Sequence, residues 1–133
     1  MKKKRRGFTM IELVVVMVIV GILAVVAVPM YRNYVNRAYS TEGSALIGSI
    51  ASSQKVHLAE FGNFYDMGVA ASSNATLGID ATMNRYFRTF LTQDTDGGAG
   101  YTAVATGSGD AAGINVEIDQ DPGAAPVMTI NGL

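Results

Sequence analysis

From Leu13 to Tyr31 the chain runs nineteen residues without a charged side chain; beyond it the apolar positions thin into a periodic stripe. As a helix at ~1.5 Å per residue, that run spans about 28 Å, close to the ~30 Å hydrocarbon core of a bilayer. Its β-branched residues (Val14, Val15, Val16, Val18, Ile19, Val20) weaken helix formation in water. Lipid, however, admits only backbone that is bonded internally, which a helix provides. Leu46, Ile47, Ile50, Gln54 and Leu58 then recur near helical spacing, with Arg32, Arg37, Glu42, Lys55 and Glu60 interspersed. The pattern predicts one helix from about Phe8 to about Phe61. Pro29 is its main irregularity, and Gly62 suits the position just past its end.

The remainder alternates between turn-rich and strand-like segments. Residues Gly68 to Asp80 are rich in Ala, Ser and Asn and read as a surface loop. Asp80 could cap a short helix reaching Leu91, with Tyr86, Phe87, Phe90 and Leu91 as its buried side. Three strands are expected, at Tyr101–Thr106, Ile114–Ile118 and Val127–Ile130. The second places Ile114, Val116 and Ile118 on one face. The predicted fold class is α+β. The apolar half of a long N-terminal α-helix protrudes, and the amphipathic half packs on a small antiparallel sheet.

Charge changes the picture at the N-terminus. Lys2, Lys3, Lys4, Arg5 and Arg6 hold five of the ten basic residues, and Gly7 ends that leader. Basic residues stay cytoplasmic, so the C-terminal body is exported. Three readings of the apolar run follow. It is a signal peptide ending at Ala27, a permanent anchor, or an apolar helix retained after cleavage on the cytoplasmic side of the membrane, after Gly7. Gly7 is small and flexible, as a cleavage site requires. Glu12 favours retention with a partner, because an acid at mid-bilayer costs about 2.5–3.5 kcal/mol. Its plainer reading is a first-turn acid favoured by the helix dipole near the headgroups.

Gly7-Phe8-Thr9-Met10-Ile11-Glu12-Leu13, with Gly21-Ile22-Leu23-Ala24 and Ala27-Val28-Pro29-Met30-Tyr31, closely resembles the N-terminus of type IV pilin-like proteins. These include pilins and the pseudopilins of type II secretion. Met10 stands where the family usually has leucine, a volume-conserving change. The resemblance implies a leader at 1–7, a transmembrane and filament-core helix at 8–35, and a globular head at 36–133. It implies cleavage by a prepilin peptidase between Gly7 and Phe8, N-methylation of Phe8, and subunit assembly through Phe8 and Glu12. It also implies a helix break between Gly21 and Pro29 on leaving the bilayer.

The partners implied are further copies of the chain in a helical filament, inner-membrane lipid before assembly, an assembly ATPase and a membrane platform. The location implied is the inner membrane and then an extracellular pilus, serving adhesion, motility, DNA uptake or secretion. A major pseudopilin, which would remain periplasmic, is the same-family alternative. The region around Asn63-Phe64-Tyr65 lacks the proline- and threonine-rich stretch expected of one.

Without the leader, five basic residues face eleven acidic ones, a side-chain net of −6. That argues against nucleic-acid binding. The chain has no cysteine, so a core, an ion or neighbouring subunits must hold the head. Asp94, Asp96, Asp119 and Asp121 could converge on calcium, as in some major pseudopilins, but acidic turns are common in hairpins and the turn reading is favoured. No other cofactor is expected. His57 lacks a ligating neighbour in sequence, Ser52-Ser53 lacks a base, and no triad or phosphate loop is present, so no enzymatic activity is expected. Tyr31, Tyr34 and Tyr39 read as interface-belt or packing residues.

Overall fold

The computed structural model describes residues 7–133, and residues 1–6 of the expected leader at 1–7 lie outside the described residues. Helix α1 spans Met10–Phe61 and continues through Gly21 and Pro29. Gly62 ends it with φ +79°, its N–H donating to the Leu58 carbonyl at 2.9 Å, the left-handed cap expected of glycine. The chain divides into two units, one ending at Tyr34 and the other spanning Val35–Leu133.

Within the second unit, α1 buries Ser40, Gly43, Leu46, Ile47, Ile50 and Gln54, a stripe advancing by three or four residues. The sheet it covers has four antiparallel strands in sequential order: β3 (Thr89–Thr95), β4 (Gly100–Thr106), β5 (Asn115–Gln120) and β6 (Val127–Asn131). A two-residue pair, β1 (Ser73–Asn74) with β2 (Ile79–Asp80), precedes it. Tyr101, Phe87, Phe90, Ile47, Ile50 and Val116 are fully buried. Tyr101 packs on Phe64 with ring centroids 4.7 Å apart. Gly43 sits so close to the sheet that a Cβ there would lie 2.7 Å from Val116 and 2.8 Å from Phe87.

The three expected strands are present, and Ile114, Val116 and Ile118 are buried as the alternation requires. The expected short helix at 80–91 is not formed. Asp80 instead accepts from the Thr82 N–H at 2.9 Å and the Thr82 hydroxyl at 2.6 Å, making a local turn. Those two bonds hold its carboxyl below the usual aspartate range. Thr89–Thr95 forms a fourth strand, with Phe90 and Thr92 buried and Thr89 and Gln93 exposed. The β-branched threonines and the two-residue alternation suit a strand better than a helix. The region read as a surface loop contains β1 and β2.

Glu42 explains why 85–87 does not coil. Its carboxylate accepts backbone N–H groups from Arg85 (3.2 Å), Tyr86 (2.7 Å) and Phe87 (2.8 Å), donors that a helix would have turned on its own carbonyls. Partial burial pushes the Glu42 carboxyl up. The three N–H donors and the Arg85 charge outweigh that and hold it below the ordinary glutamate range. Tyr39 packs on Tyr86 beside this contact, ring centroids 4.5 Å apart and the planes tilted by 49°.

A strap at residues 63–71 closes the β3 edge. Phe64 donates to Gly98 (3.0 Å), Met67 to Thr92 (2.9 Å), and Ala71 and Phe90 exchange two bonds of 2.9 Å. Buried Gln54 clips the strap to α1, donating to the Tyr65 carbonyl and accepting from the Tyr65 N–H, both at 2.8 Å.

Candidate functional site

The N-terminal part of α1 is the segment with no role inside the subunit. Every described residue from Gly7 to Tyr34 is exposed, including the apolar ones. An 18-residue stretch of the helix is long and apolar enough to cross a membrane, and none of it is buried. Apolar exposure on that scale is far beyond what an isolated soluble subunit presents, so lipid or other chains must cover it.

Its start is built by Thr9 and Glu12. The Thr9 N–H and hydroxyl both donate to Glu12 Oε2, at 2.9 and 2.8 Å, and the Glu12 N–H donates back to Thr9 Oγ1 at 3.3 Å. This reciprocal arrangement is a capping box, and it satisfies donors that the first turn leaves unpaired. The Thr9-x-x-Glu12 spacing carries that signal in the sequence, beside the dipole and neighbour roles that Glu12 also suits. Both bonds from Thr9 fall on one carboxylate oxygen, and a carboxylate has capacity for further donors on the other. Phe8, Ile11, Val15 and Val16 line a shallow depression around Glu12, so the acid lies in an apolar surround. Phe8 sits directly before this cap and is exposed. Neither Gly21 nor Pro29 interrupts the helix of the single subunit.

The four aspartates do not gather. Asp94 lies opposite Tyr101 and Asp119 opposite Thr102, so they project from opposite faces of the sheet. Asp119 accepts instead from the Thr102 hydroxyl at 3.0 Å, and Asp96 sits in the β3–β4 turn with φ +52°. Among the described residues no group of three or more His, Asp or Glu side chains is placed to hold a metal. The His57 ring lies 4.5 Å from Phe61 and 5.4 Å from Tyr65, with Nδ1 2.9 Å from the Asn63 carbonyl, a packing role. Tyr31 and Tyr34 are exposed on α1. The sequence places Gln54 in the apolar stripe and Glu42 on the helix but not what they bond, because a glutamine in such a stripe and a glutamate on a helix acquire meaning only from the loops they meet.

The family described as the prokaryotic N-terminal methylation motif matches residues 2–28. The fimbrial protein EcpC of Eikenella corrodens is 36% identical over 115 residues, covering 86% of this chain and 71% of the relative. The type IV major fimbrial protein FimA of Dichelobacter nodosus is 36% identical over 125 residues, covering 94% of this chain and 72% of the relative. No solved structure matches the chain.

Proposed function

Because the chain belongs to the type IV pilin family and is a structural subunit of a pilus fibre, we propose that it is made as a precursor, cut after Gly7, and held in the inner membrane by α1 until it polymerises. The observation that carries this reading is the apolar first part of α1, exposed throughout and exempt from the subunit core. Lipid covers that surface before assembly, and the same surface of other copies covers it in the fibre. Little apolar area changes its exposure to water in the exchange, so the step is not driven by burial alone and requires an assembly ATPase and a membrane platform.

In this reading a prepilin peptidase cuts between Gly7 and Phe8, and the new Phe8 amine is methylated. Glu12 then receives that amine from a neighbouring copy. A carboxylate and an ammonium buried together attract strongly, while either alone is costly. The capping box supports the role by fixing the carboxylate in place before the partner arrives. Gly21 and Pro29 mark a weak stretch, since glycine costs about 1 kcal/mol relative to alanine and proline removes the bond to the Val25 carbonyl. That stretch is where the helix extends as it leaves the bilayer.

The test is the N-terminal peptide mass of protein sheared from the cell surface. A chain beginning at N-methylated Phe8 is expected. A chain beginning at Val28 would mean an ordinary signal peptide and overturn the reading.

A further inference from the structure

The two edges of the sheet are treated differently. The strap at 63–71 closes β3 with backbone hydrogen bonds. At the other edge β6 pairs with β5 alone, and among the described residues no backbone bond from outside the ladder reaches Val127–Asn131. Four of the five side chains of β6 are also exposed, and only Ile130 is partly buried against the core. Met128 and Ile130 lie opposite Ile118 and Val116, on the face that is buried one strand further in. Yet Met128 is 45% exposed, Val127 on the other face 63%, and Leu133 55%.

This strand is not frayed. Its five residues are in register with β5, and Gly132 (φ +87°) packs so closely that a Cβ there would overlap the Gly113 carbonyl. An open, apolar, well-held edge strand is a template for another chain unless charges, prolines or bulges protect it. Pro122–Leu133 contains no charged side chain, and Pro126 precedes the strand without lying in it, so all five residues of β6 keep their backbone N–H groups.

We propose that the β6 edge is a head-to-head contact between neighbouring copies of this chain in the fibre, separate from the contact made by α1. Charge selects the occupant. Residues 35–133 carry four basic and ten acidic side chains, a net of −6. A basic partner would be drawn to the acidic remainder of the head. Another copy is equally acidic, and it approaches at least electrostatic cost where charge is absent. Strand β6 itself meets that condition, with Glu117 and Asp119 one strand further in, and it offers apolar area and free backbone groups as well.

The proposal rests on the fibre reading, and the test keeps the two apart. Because the chain has no cysteine, a Met128→Cys variant of the full chain carries a single thiol at the edge. Maleimide labelling is compared in detergent-solubilised subunit, in the membrane fraction of cells blocked in assembly, and in intact sheared fibres. Labelling is expected to be fast in the first two and at least about tenfold slower in fibres. Wild-type fibres provide a check free of substitution, since amides of Val127–Asn131 should exchange more slowly in the fibre than in the subunit. Equal labelling in fibre and subunit overturns the proposal, as does protection already present in the assembly-blocked membrane, which would assign the edge to another partner. Failure of wild-type cells to yield any sheared fibre would instead sink the fibre reading.

Discussion

Gln54 and Tyr65, eleven positions apart, are joined by two hydrogen bonds of 2.8 Å, one in each direction. The Gln54 amide thereby does for the strap what a neighbouring strand would do, inside the core where water cannot substitute. Tyr65 O also accepts from the Thr92 hydroxyl at 3.1 Å, so its N–H depends most on Gln54. Gln54→Leu should leave that N–H unsatisfied and cost about 1–3 kcal/mol. Thermal unfolding of the full chain in detergent should fall by roughly 4–8 °C per kcal/mol lost. An unchanged midpoint would show that the clip contributes nothing.

Glu42 makes the head sensitive to acid. Its folded carboxyl titrates below the ordinary glutamate value because the N–H groups of 85–87 and the Arg85 charge outweigh the effect of burial. A depressed folded value means the contribution is present above the unfolded pKa and fades as pH falls through the folded one. Glu42→Ala should therefore destabilise the head by about 1–2 kcal/mol at pH 7, discounted for partial exposure. The gap to wild type should close as pH falls below the ordinary glutamate range. A gap independent of pH would refute this account.

Gly43 is a contact point between α1 and the sheet, and a methyl group there meets Val116 and Phe87. Overpacking costs about 1–3 kcal/mol, against about 1 kcal/mol of helix propensity that alanine restores. Gly43→Ala is expected to lower the denaturation midpoint. Gly48→Ala, where nothing lies within 4 Å of the added Cβ, should raise or preserve it. Reversal of that order would contradict the close packing.

For assembly, Glu12→Ala is expected to leave the amount of membrane-held subunit intact and to reduce the yield of sheared fibre. Glu12→Gln should keep the local bonds to Thr9 yet lack the charge that an incoming amine requires. It should therefore resemble the alanine variant in fibre yield. Wild-type fibre yield from both variants would remove Glu12 from assembly and leave it a capping residue only.

Much of this architecture was legible because its signals are local. The stripe at Leu46, Ile47, Ile50 and Gln54 follows helical spacing, Gly62 has the freedom a helix end requires, and Ile114, Val116 and Ile118 alternate as a strand must. Strand β3 was hidden because Asp80 imitates a helix cap and Tyr86-Phe87 with Phe90-Leu91 imitates a helical face. Glu42, distant in sequence, decides otherwise by capturing the donors of 85–87. The open edge at β6 was equally invisible, since Val127–Ile130 reads as a strand whether or not anything covers it. At the N-terminus, the motif around Gly7, Phe8 and Glu12 pointed to the family directly, because its spacing is contiguous.

All the buried residues of α1 lie at Ser40 or beyond. The head thus completes its own interior without help from the first turns of the helix that anchors it. Whether those turns are solvated by acyl chains or by sister helices, the folded domain beyond has the same internal contacts to keep. Substitutions between Leu13 and Val28 should therefore shift the partition between bilayer and polymer while leaving the melting of the head unmoved. Anchoring and folding can then vary independently, each under its own selection.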